Sequence, residues 1–345
     1  MTHGTDLIDI AAKQPTLSGV VFRRFRGPLD YPGMTAANQA ARDGAGRLWP
    51  VTEAWQATFI EGYGTSDPVR DVLIVERDDT ILGFARVSWR DQADGARVAT
   101  SQCVLRPDAR GHGIGSAMLA WVEGRLDAFP AEIPDRRPDY RTTFTWSDDP
   151  RGARLLLGHA WRETERGYEM IRRSLENVPQ VPLPDRLVVR AVDEDARVPV
   201  WHALVEAFAD HRGQGMKSDA DKRRFLEDDH MRPELWVIAY AGAEIAGGVL
   251  SMVNELPMGR TGLLGRVDGV FTRRPWRRRG LARALVARSL VLLREHGASV
   301  ADLSVDGANP HQAMALYESL GFEVGATETN WIKPYTGRSE TEATR

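Results

Sequence analysis

The sequence predicts an α/β (α+β) protein in which one mixed unit of strands and helices occurs twice in tandem. Three observations lead to this prediction: the order of periodic apolar segments repeats, a proline-rich stretch separates the repeats, and one glycine-containing hexapeptide occurs in both halves. At 345 residues, 42% of them hydrophobic, the chain is long enough for two globular cores. We predict domains at residues 18–175 and 186–335, a linker at 176–185 and a flexible tail at 336–345.

The linker is predicted from the stretch "ENVPQVPLPDR", which places three prolines among polar residues. Proline lacks a backbone donor and disfavours helix, so we expect extended chain here. The tail "TGRSETEATR" is polar throughout, and a polar terminus is expected to fray.

The first half offers the following elements in order. A hairpin around Asp78 and Asp79 is predicted by "VLIVERDDTILGFARVSW", and further strands by "VATSQCVL" and "RTTFTW". Helices are predicted by "GIGSAMLAWVEGRL", in which Gly115, Leu119 and Val122 share one face, and by "DPRGARLLLGHAW".

The second half repeats this series. Strands are predicted by "RLVVRAV", "ELWVIAYAGAEIAGGVLSMV" (two strands around a turn at Ala241–Ala243), "GLLGRVDGVFTRR" and "VADLSVD". Helices are predicted by "ARVPVWHALVEAFADH", "GLARALVARSLVLLREHG" and "NPHQAMALYESLGF". In the second of these helices Ala282, Val286, Leu290 and Leu293 share one face, and Gly297 supplies a C-terminal stop.

Composition narrows the class of function. The formal net charge is −3, whereas a dedicated nucleic-acid-binding protein usually carries excess positive charge over a whole face. Cys103 is the single cysteine, so we expect no intramolecular disulfide and no cysteine-based metal cluster, which fits a reducing, cytoplasmic location. We expect no metal cofactor. We find neither a secretory signal pattern nor a run of about 18 apolar residues, so we expect no membrane association.

The repeated hexapeptide has the form Arg-x-x-Gly-x-Gly/Ala. In the first half it runs from Arg110 to Gly115 and in the second from Arg277 to Ala282, in each case between a strand and a helix. The first N–H groups of a helix lack partners and favour negative charge, and small residues let a phosphate approach the backbone. The motif therefore predicts an anion site, although its spacing fits neither a P-loop nor a dinucleotide-binding fold.

Two other interpretations of the arginine-rich stretch "VFTRRPWRRRGLARAL" stay open at this point. Five arginines between Arg273 and Arg279 are also compatible with a nucleic-acid patch or with a solvated surface. The occurrence of the motif in two equivalent contexts favours the anion site. Arg273 and Arg274 have no assigned role; they could meet a phosphate or face water.

With both motifs in place, the chain resembles the GNAT superfamily of acyl-CoA N-acyltransferases in its tandem form, over roughly residues 18–172 and 186–335. The second half adds the pattern Asn309-x-x-x-Ala313-x-x-Leu316-Tyr317-x-x-x-Gly321-Phe322 of that family's next helix. The resemblance implies two domains, each a mixed, mostly antiparallel sheet with splayed central strands flanked by helices.

The resemblance also implies a cosubstrate, acetyl-CoA, with its pantetheine arm between the splayed strands and its pyrophosphate on the motif. The residues implied in the second half are Val270, Phe271, Thr272, Arg277, Arg278, Arg279, Gly280, Leu281, Ala282 and Asn309. Those implied in the first half are Cys103, Val104, Leu105, Arg110, Gly111, His112, Gly113, Ile114 and Gly115.

The first half departs from the family pattern in its last helix. Asp149 to Trp161 aligns with Asn309 to Phe322 only with a one-residue deletion, and Leu157 stands where the second half has Tyr317. Ser101 stands where the second half has Asp268. We therefore expect the first half to be a non-catalytic or scaffolding copy.

Catalysis is assigned to the second half. The implied reaction is attack of a neutral primary amine on the thioester, and an amine with a pKa near 10 is only about one part in a thousand neutral at pH 7. A base should therefore assist, and Asp268 is the first candidate, ahead of Glu255 and the histidines His202, His211 and His230. Tyr317 is the candidate hydroxyl donor to the departing thiolate, and a strand N–H near Val270 could meet the oxyanion.

The principal alternative is a CoA-binding sensor or scaffold without turnover. The acceptor stays open among small primary amines, amino sugars, amino acid derivatives and a protein N-terminus. We expect a monomer or homodimer with no nucleic-acid partner.

Overall fold

The structure of the protein, a computed structural model, describes residues 7–10, 15–48, 50–61, 65–92, 95–133, 135, 137–209, 219–227, 232–254, 263–305 and 310–335. The chain forms two compact units. Unit 1 comprises the residues up to Arg166 together with those from Ala326 onward, and unit 2 comprises Gly167–Gly325.

The secondary structure alternates strands and helices in both units. The strands are β1 (Val20–Arg24), β2 (Val72–Arg77), β3 (Thr80–Asp91), β4 (Arg97–Leu105), β5 (Tyr140–Trp146), β6 (Arg162–Arg172), β7 (Val188–Arg190), β8 (Trp236–Ala241), β9 (Glu244–Leu250), β10 (Met252–Asn254), β11 (Leu263–Arg266), β12 (Phe271–Thr272), β13 (Ala298–Val305) and β14 (Glu323–Pro334). The helices are α1 (Tyr31–Gly44), α2 (Glu53–Glu61), α3 (Pro68–Asp71), α4 (Ile114–Glu132), α5 (Pro150–Gly158), α6 (Arg197–Phe208), α7 (Asp219–Glu227), α8 (Leu281–Glu295) and α9 (Pro310–Glu318).

The sheet of unit 1 has the strand order β1-β2-β3-β4-β5-β14. All of its ladders are antiparallel except β4–β5, which pairs in parallel only from Val98–Tyr140 to Thr100–Thr142. Beyond Thr100 and Thr142 the two strands continue without a ladder and separate. The predicted splay of the central strands is therefore present in unit 1.

Helices cover both faces of this sheet. On one face α1 packs against Phe84 and Val104, and on the other α4 packs against Ala85 and Ala99. Successive residues of a strand point to opposite faces, which is why neighbours such as Phe84 and Ala85 belong to different cores. We call these two sides of the sheet the α1 face and the α4 face. Helix α5 also lies on the α4 face, where its Leu156 packs into the same core as α4.

Unit 2 contains two ladders. In the first set of paired strands the order is β6-β13-β11-β10, and the β11–β13 pair is parallel. In the second set the order is β12-β9-β8-β7, and all pairs are antiparallel. The sequence predicts one strand over "GLLGRVDGVFTRR", and this prediction is wrong, because the chain leaves the ladder at Val267–Val270. Gly269 takes a left-handed conformation there, with φ of 51°, which a regular strand does not accommodate. The mixed, mostly antiparallel α/β class is confirmed.

The predicted boundaries at 175 and 186 follow sequence order, whereas the compact units do not. Tyr168–Arg172 of β6 pair with β13 in unit 2, and Glu328–Pro334 of β14 pair with β5 in unit 1. Each unit thus completes its sheet with a strand from the other half of the sequence. The predicted tail, 336–345, lies outside the described residues.

The predicted linker is irregular in structure and lies on unit 2. Val178, Val181 and Leu183 pack against the core of that unit. Arg288 and Arg294 of α8 donate to the carbonyl oxygens of Val181 and Glu176 at 2.7 and 3.1 Å. The segment is therefore bound along α8 by two arginines.

The shorter predictions within each half agree with the structure. Asp78 and Asp79 form the β2–β3 turn with φ of 48° and 59°, a conformation suited to a two-residue hairpin. Gly297, with φ of 88°, follows the end of α8. The elements between residues 20 and 71 were not predicted, because they lack a simple apolar period.

Candidate active site

The two motif loops adopt the same backbone conformation. Gly111 and Gly113 have φ of 90° and 80°, and the equivalent Arg278 and Gly280 have φ of 60° and 79°. In each copy the helix, α4 or α8, begins at the residue after the second left-handed position. Left-handed residues just before a helix turn successive N–H groups toward one point, which makes a concave anion site.

The first arginine of each motif is bound to protein groups. Arg110 donates from Nε to the carbonyl oxygen of Leu105 at 3.4 Å, and Arg277 does the same to Thr272 at 3.1 Å, in both cases five residues back at the end of a strand. Arg110 also pairs with Asp148 at 2.8 Å, and Arg277 donates to the Ala207 carbonyl at 2.9 Å. Both arginines therefore tie the motif loop to neighbouring protein groups, a structural role that the sequence did not indicate.

Replacing Arg277 by alanine is expected to raise the KM for acetyl-CoA about tenfold and to change kcat by about twofold or less. Hydrogen bonds from a charged donor are worth about 1.5–3 kcal/mol, and their loss frees the loop that positions the backbone N–H groups. Steady-state kinetics of R277A and R277K test this. Lysine keeps the positive charge of Arg277 but cannot form its two hydrogen bonds to the Thr272 and Ala207 carbonyl oxygens. An R277K enzyme with an unchanged KM would therefore indicate that the charge alone determines the affinity for acetyl-CoA.

At the first left-handed position of the loop, Arg278 stands where unit 1 has Gly111. Relative to glycine, a residue with a Cβ destabilises the left-handed conformation by about 1–2 kcal/mol. Glycine offsets part of this difference because it has more conformational entropy in the unfolded chain. R278G is therefore expected to stabilise unit 2 by about 0.5–1 kcal/mol, measured as a higher midpoint of thermal unfolding. The reciprocal G111R should lower it; equal midpoints for both variants and the parent would contradict the argument.

Unit 1 contains a cavity of about 500 Å³ in the gap between β4 and β5. Its walls are formed by Ser101–Leu105 of β4, by Thr143–Trp146 of β5, by most of the motif loop and by the start of α5. Ile114 is fully buried below the loop, and the carbonyl of His112 accepts the Thr16 N–H at 2.9 Å. The splayed strands and the anion loop therefore open into one space.

Cys103 lines this cavity, at the position equivalent to Val270. Cys103 is exposed to the cavity, but loss of hydration between the cavity walls, and secondly the charge of Asp149, raises the pKa of its thiol to about 12. Ser101 is buried at the foot of the cavity, and Leu157 is exposed. Unit 1 thus has neither a carboxylate nor a phenol at the two positions proposed for catalysis in unit 2.

Four arginines of this cavity were missed by sequence reasoning. Arg151 and Arg154 lie on α5, and the guanidinium of Arg151 lies so close to Gly111 that a Cβ at that glycine would clash with it. Arg42 lies on α1 and Arg47 just beyond it. The i, i+3 spacing of Arg151 and Arg154 on a predicted helix could have indicated that both side chains lie on one side of that helix. No sequence pattern indicated that Arg42 and Arg47 line the same cavity.

In unit 2, Asp268 and Tyr317 lie within electrostatic reach of each other. Burial, and then the negative charge of Asp268, raises the pKa of the Tyr317 phenol to about 12. Tyr317 is half-buried and packs edge-on against Phe322, with ring centroids 6.0 Å apart. Asp268 is exposed, and its Oδ1 accepts the N–H of Gly269 at 2.8 Å.

Arg266 forms its hydrogen bonds with groups other than Asp268, although the charge of Asp268 acts, after burial and the charge of Asp302, on the pKa of the Arg266 guanidinium. Its guanidinium donates to Asp302 at 3.0 Å and to the hydroxyl of Ser304 at 2.7 Å. Among the described residues Asp268 forms no ion pair within 4.0 Å.

The remaining predicted residues have the following positions. Phe271 is buried against the α6 core, Val270 and Thr272 are half-buried, Leu281 is buried, and Ala282 is half-buried at the start of α8. Arg278 and Arg279 are exposed, and Arg279 lies 5.1 Å from the Trp276 ring. Arg273 pairs with Glu206 at 2.9 Å, and His202 is exposed on α6. Asn309, Glu255, His211 and His230 lie outside the described residues.

The described part of the chain contains no group of three residues that could hold a metal ion. Within the same residues, no helix has the length and apolar composition required to cross a membrane.

A family model described as "Acetyltransferase (GNAT) family" matches residues 35–133 and 200–322. Among curated proteins, the chain is similar to a mycothiol acetyltransferase of Thermobispora bispora, with 29% identity over 86% of this chain and 93% of the relative. A mycothiol acetyltransferase of Kineococcus radiotolerans is 30% identical over 75% of this chain and 80% of the relative.

Solved structures show the same fold. A GCN5-related N-acetyltransferase from Sphaerobacter thermophilus superposes with a TM-score of 0.68 at 22% identity, covering 92% of this chain and 96% of that one. A tandem GNAT protein from the clavulanic acid biosynthesis pathway has a TM-score of 0.65 at 19% identity, covering 93% and 100%.

Proposed function

This chain belongs to the acetyltransferase (GNAT) family and is an acyl-CoA-dependent N-acetyltransferase; on this premise we propose that unit 2 transfers the acetyl group of acetyl-CoA to a small-molecule primary amine. The observation that carries the proposal is that Tyr317 and Asp268 lie within electrostatic reach of each other, in the unit that also contains the anion loop Arg277–Ala282. Tyr317 is a phenol kept neutral by a pKa of about 12, to which the charge of Asp268 contributes. Among the described residues, Asp268 forms no ion pair within 4.0 Å.

The conformation of the loop at Arg277–Ala282 fits the pyrophosphate of acetyl-CoA, and its pantetheine arm is proposed to lie along Val270–Thr272. The two left-handed residues of the loop direct backbone donors to one point, as phosphate binding requires. Val270, just before β12, is the proposed source of an N–H for the thioester oxygen.

In the proposed reaction the acceptor amine loses a proton to Asp268, directly or through water, and attacks the thioester carbonyl. The new C–N bond forms as the C–S bond breaks, and the sulfur leaves with the electron pair. The Tyr317 hydroxyl donates a hydrogen bond to that sulfur. Its high pKa keeps this donor protonated throughout the neutral range.

Unit 1 is proposed to bind a CoA thioester without turning it over. The cavity and the anion loop support binding. Ser101 and Leu157, which stand in place of the base and the phenol, support the absence of turnover.

The single thiol of the chain makes this proposal testable. Cys103 is the only residue with a thiol for iodoacetamide to alkylate, and intact-mass spectrometry reports the rate of labelling. Because only the thiolate reacts and the pKa of Cys103 is raised, the reaction is run at about pH 9 rather than at neutral pH. Acetyl-CoA is expected to protect Cys103 from alkylation, and equilibrium dialysis should count two bound per chain. The control, Cys103→Ser, should take up no label. Full alkylation at saturating acetyl-CoA, with one molecule bound, would confine cofactor binding to unit 2.

The proposal of a small-molecule acceptor is based on the similarity of the chain to mycothiol acetyltransferases. Panels of amino sugars, amino acid derivatives, polyamines and N-terminal peptides, with acetyl-CoA and detection of released thiol, test this choice. Release with a small amine supports the proposal, and release only with peptides redirects it to a protein acceptor. Two bound acetyl-CoA without release on any amine would favour the alternative, a CoA sensor or scaffold.

A further inference from the structure

Arg172, the last residue of β6, is a buried cation at the end of the helix that carries Tyr317. Its side chain is only 8% exposed. Its Nη1 donates to the carbonyl oxygen of Leu320, in the turn that follows α9, and its Nη2 donates to the carbonyl oxygen of Asn177 at 2.8 Å. One guanidinium therefore joins the sheet, the end of α9 and the segment that follows β6.

The charge of Arg172 is stabilised by peptide carbonyl groups. Burial lowers the pKa of this guanidinium, and among the described residues it forms no ion pair within 4.0 Å. A buried cation is costly unless hydrogen bonds replace its hydration. Carbonyl groups at the C-terminal end of a helix lack intrahelical partners and carry partial negative charge, which suits a cation. Arg172 thus acts as a side-chain cap for the C-terminal end of α9.

Gly321 provides the space for this contact. It has a left-handed conformation with φ of 82°, and the guanidinium of Arg172 lies so close to it that a Cβ at that glycine would clash. Glycine adopts this conformation without strain and has no Cβ. The residue that lets the chain turn after α9 therefore also admits the cation that caps the helix.

Tyr317 is connected to this cap through the backbone of the same turn. Its carbonyl oxygen accepts the N–H of Leu320 at 2.9 Å and the N–H of Phe322 at 3.1 Å. Its ring also packs edge-on against the ring of Phe322. Because Arg172 holds the carbonyl of Leu320, it fixes the turn to which the backbone of Tyr317 is hydrogen-bonded.

The segment bound by Arg172 is also attached to α8. Arg294 of that helix donates to the carbonyl oxygen of Glu176 at 3.1 Å, one residue before Asn177. Helix α8 begins at the anion loop Arg277–Ala282. Arg172 therefore links the helix that carries the phenol to the helix that begins at the proposed phosphate site.

We propose that Arg172 is a positioning residue for Tyr317, holding the end of α9 so that the phenol meets the departing sulfur. This role rests on the proposed part of Tyr317 in acetyl transfer. Arg172 acts only through the placement of the phenol and has no contact with the reactants. Because β6 completes the sheet of unit 2, a residue from the first half of the sequence then contributes to the site in the second.

Arg172→Met keeps a long side chain and removes its charge and its donors. It is expected to lower kcat about tenfold with the KM for acetyl-CoA changed by about twofold or less, since misplacing a reacting group slows the chemical step without removing a contact to the cosubstrate. In a Y317F background the same change should alter kcat by about twofold or less. Steady-state kinetics of the parent, R172M, Y317F and R172M/Y317F measure this coupling as a double-mutant cycle.

Arg173→Met is the matched control, because it removes the neighbouring arginine, which is exposed and pairs with Glu323. It should keep the parent kcat. Gly321→Ala serves if thermal unfolding shows that R172M does not fold. Its Cβ displaces the guanidinium from the Leu320 carbonyl, so it should lower kcat in the parent and not in the Y317F background.

A folded R172M or G321A enzyme with the parent kcat overturns the positioning role. An equal loss of kcat in the parent and Y317F backgrounds also overturns it, because Arg172 would then support unit 2 as a whole. Both outcomes leave the proposed function intact. A parent kcat in Y317F itself, in contrast, removes the phenol from the mechanism and with it the role of Arg172.

Discussion

Replacing Tyr317 by phenylalanine is expected to lower kcat for amine acetylation about 100-fold or more, with the KM for acetyl-CoA changed by about twofold or less. The hydroxyl acts on the departing sulfur, so its loss raises the barrier without removing a ground-state contact to the cosubstrate. Tyr240→Phe, on β8 of the same unit, is the control and should keep the parent kcat. A Y317F enzyme with the parent kcat would remove the phenol from the mechanism.

The pH dependence of Y317F gives a second readout. The raised pKa of about 12 means that the phenol stays neutral in the folded protein at pH values where an unfolded tyrosine, with a pKa near 10, ionises. Its contribution to stability is therefore present below pH 10 and is lost as the pH rises through about 12. The parent should lose more stability than Y317F over this interval, as measured by thermal unfolding at each pH.

The second large effect is expected for Asp268→Asn, which should lower kcat at pH 7 about 100-fold. Without the carboxylate, the enzyme depends on the small neutral fraction of the amine, which increases about tenfold per pH unit up to its pKa near 10. The D268N rate should therefore keep rising with pH beyond the point at which the parent rate levels off. Kinetics between pH 6 and 9.5 measure this difference.

Asp195→Asn, an exposed carboxylate in the same unit, is the matched control and should leave both the rate and the pH profile unchanged. The charge of Asp268 also raises the pKa of Tyr317, so D268N should lower that pKa, visible as earlier phenol ionisation by ultraviolet absorbance. If D268N keeps the parent rate at pH 7, the base lies elsewhere, and Glu255 is the next candidate.

Some predictions follow from short-range preferences and agree with the structure. The motif glycines Gly113 and Gly280 take left-handed conformations just before a helix, as residues without a Cβ readily do. Helix α8 buries Val286, Leu290 and Leu293, as their spacing on a 3.6-residue period requires. The catalytic and cofactor assignments built on these elements stay predictions until the variants are measured.

Other features were beyond the sequence. Nothing in the order of strands indicates that β14 pairs with β5, or that the strand predicted across Val267–Val270 breaks. The hydrogen bond from Arg277 to the Ala207 carbonyl oxygen and the cation–π contact of Arg47 with Trp146 each join residues far apart in the chain. Such pairs depend on how helices pack on the sheet, which no local pattern encodes.

The sequence by itself determined the duplicated unit, the two anion loops and the difference between Tyr317 and Leu157, because glycine conformations, apolar periods and residue identity are local properties. Only the tertiary structure decided that β4 and β5 separate into a cavity, that Arg42 and Arg47 line it, and that Asp268 lies within electrostatic reach of Tyr317. The physical reason is that burial and electrostatic reach depend on distances between residues distant in sequence, and those distances are set by packing of the whole unit.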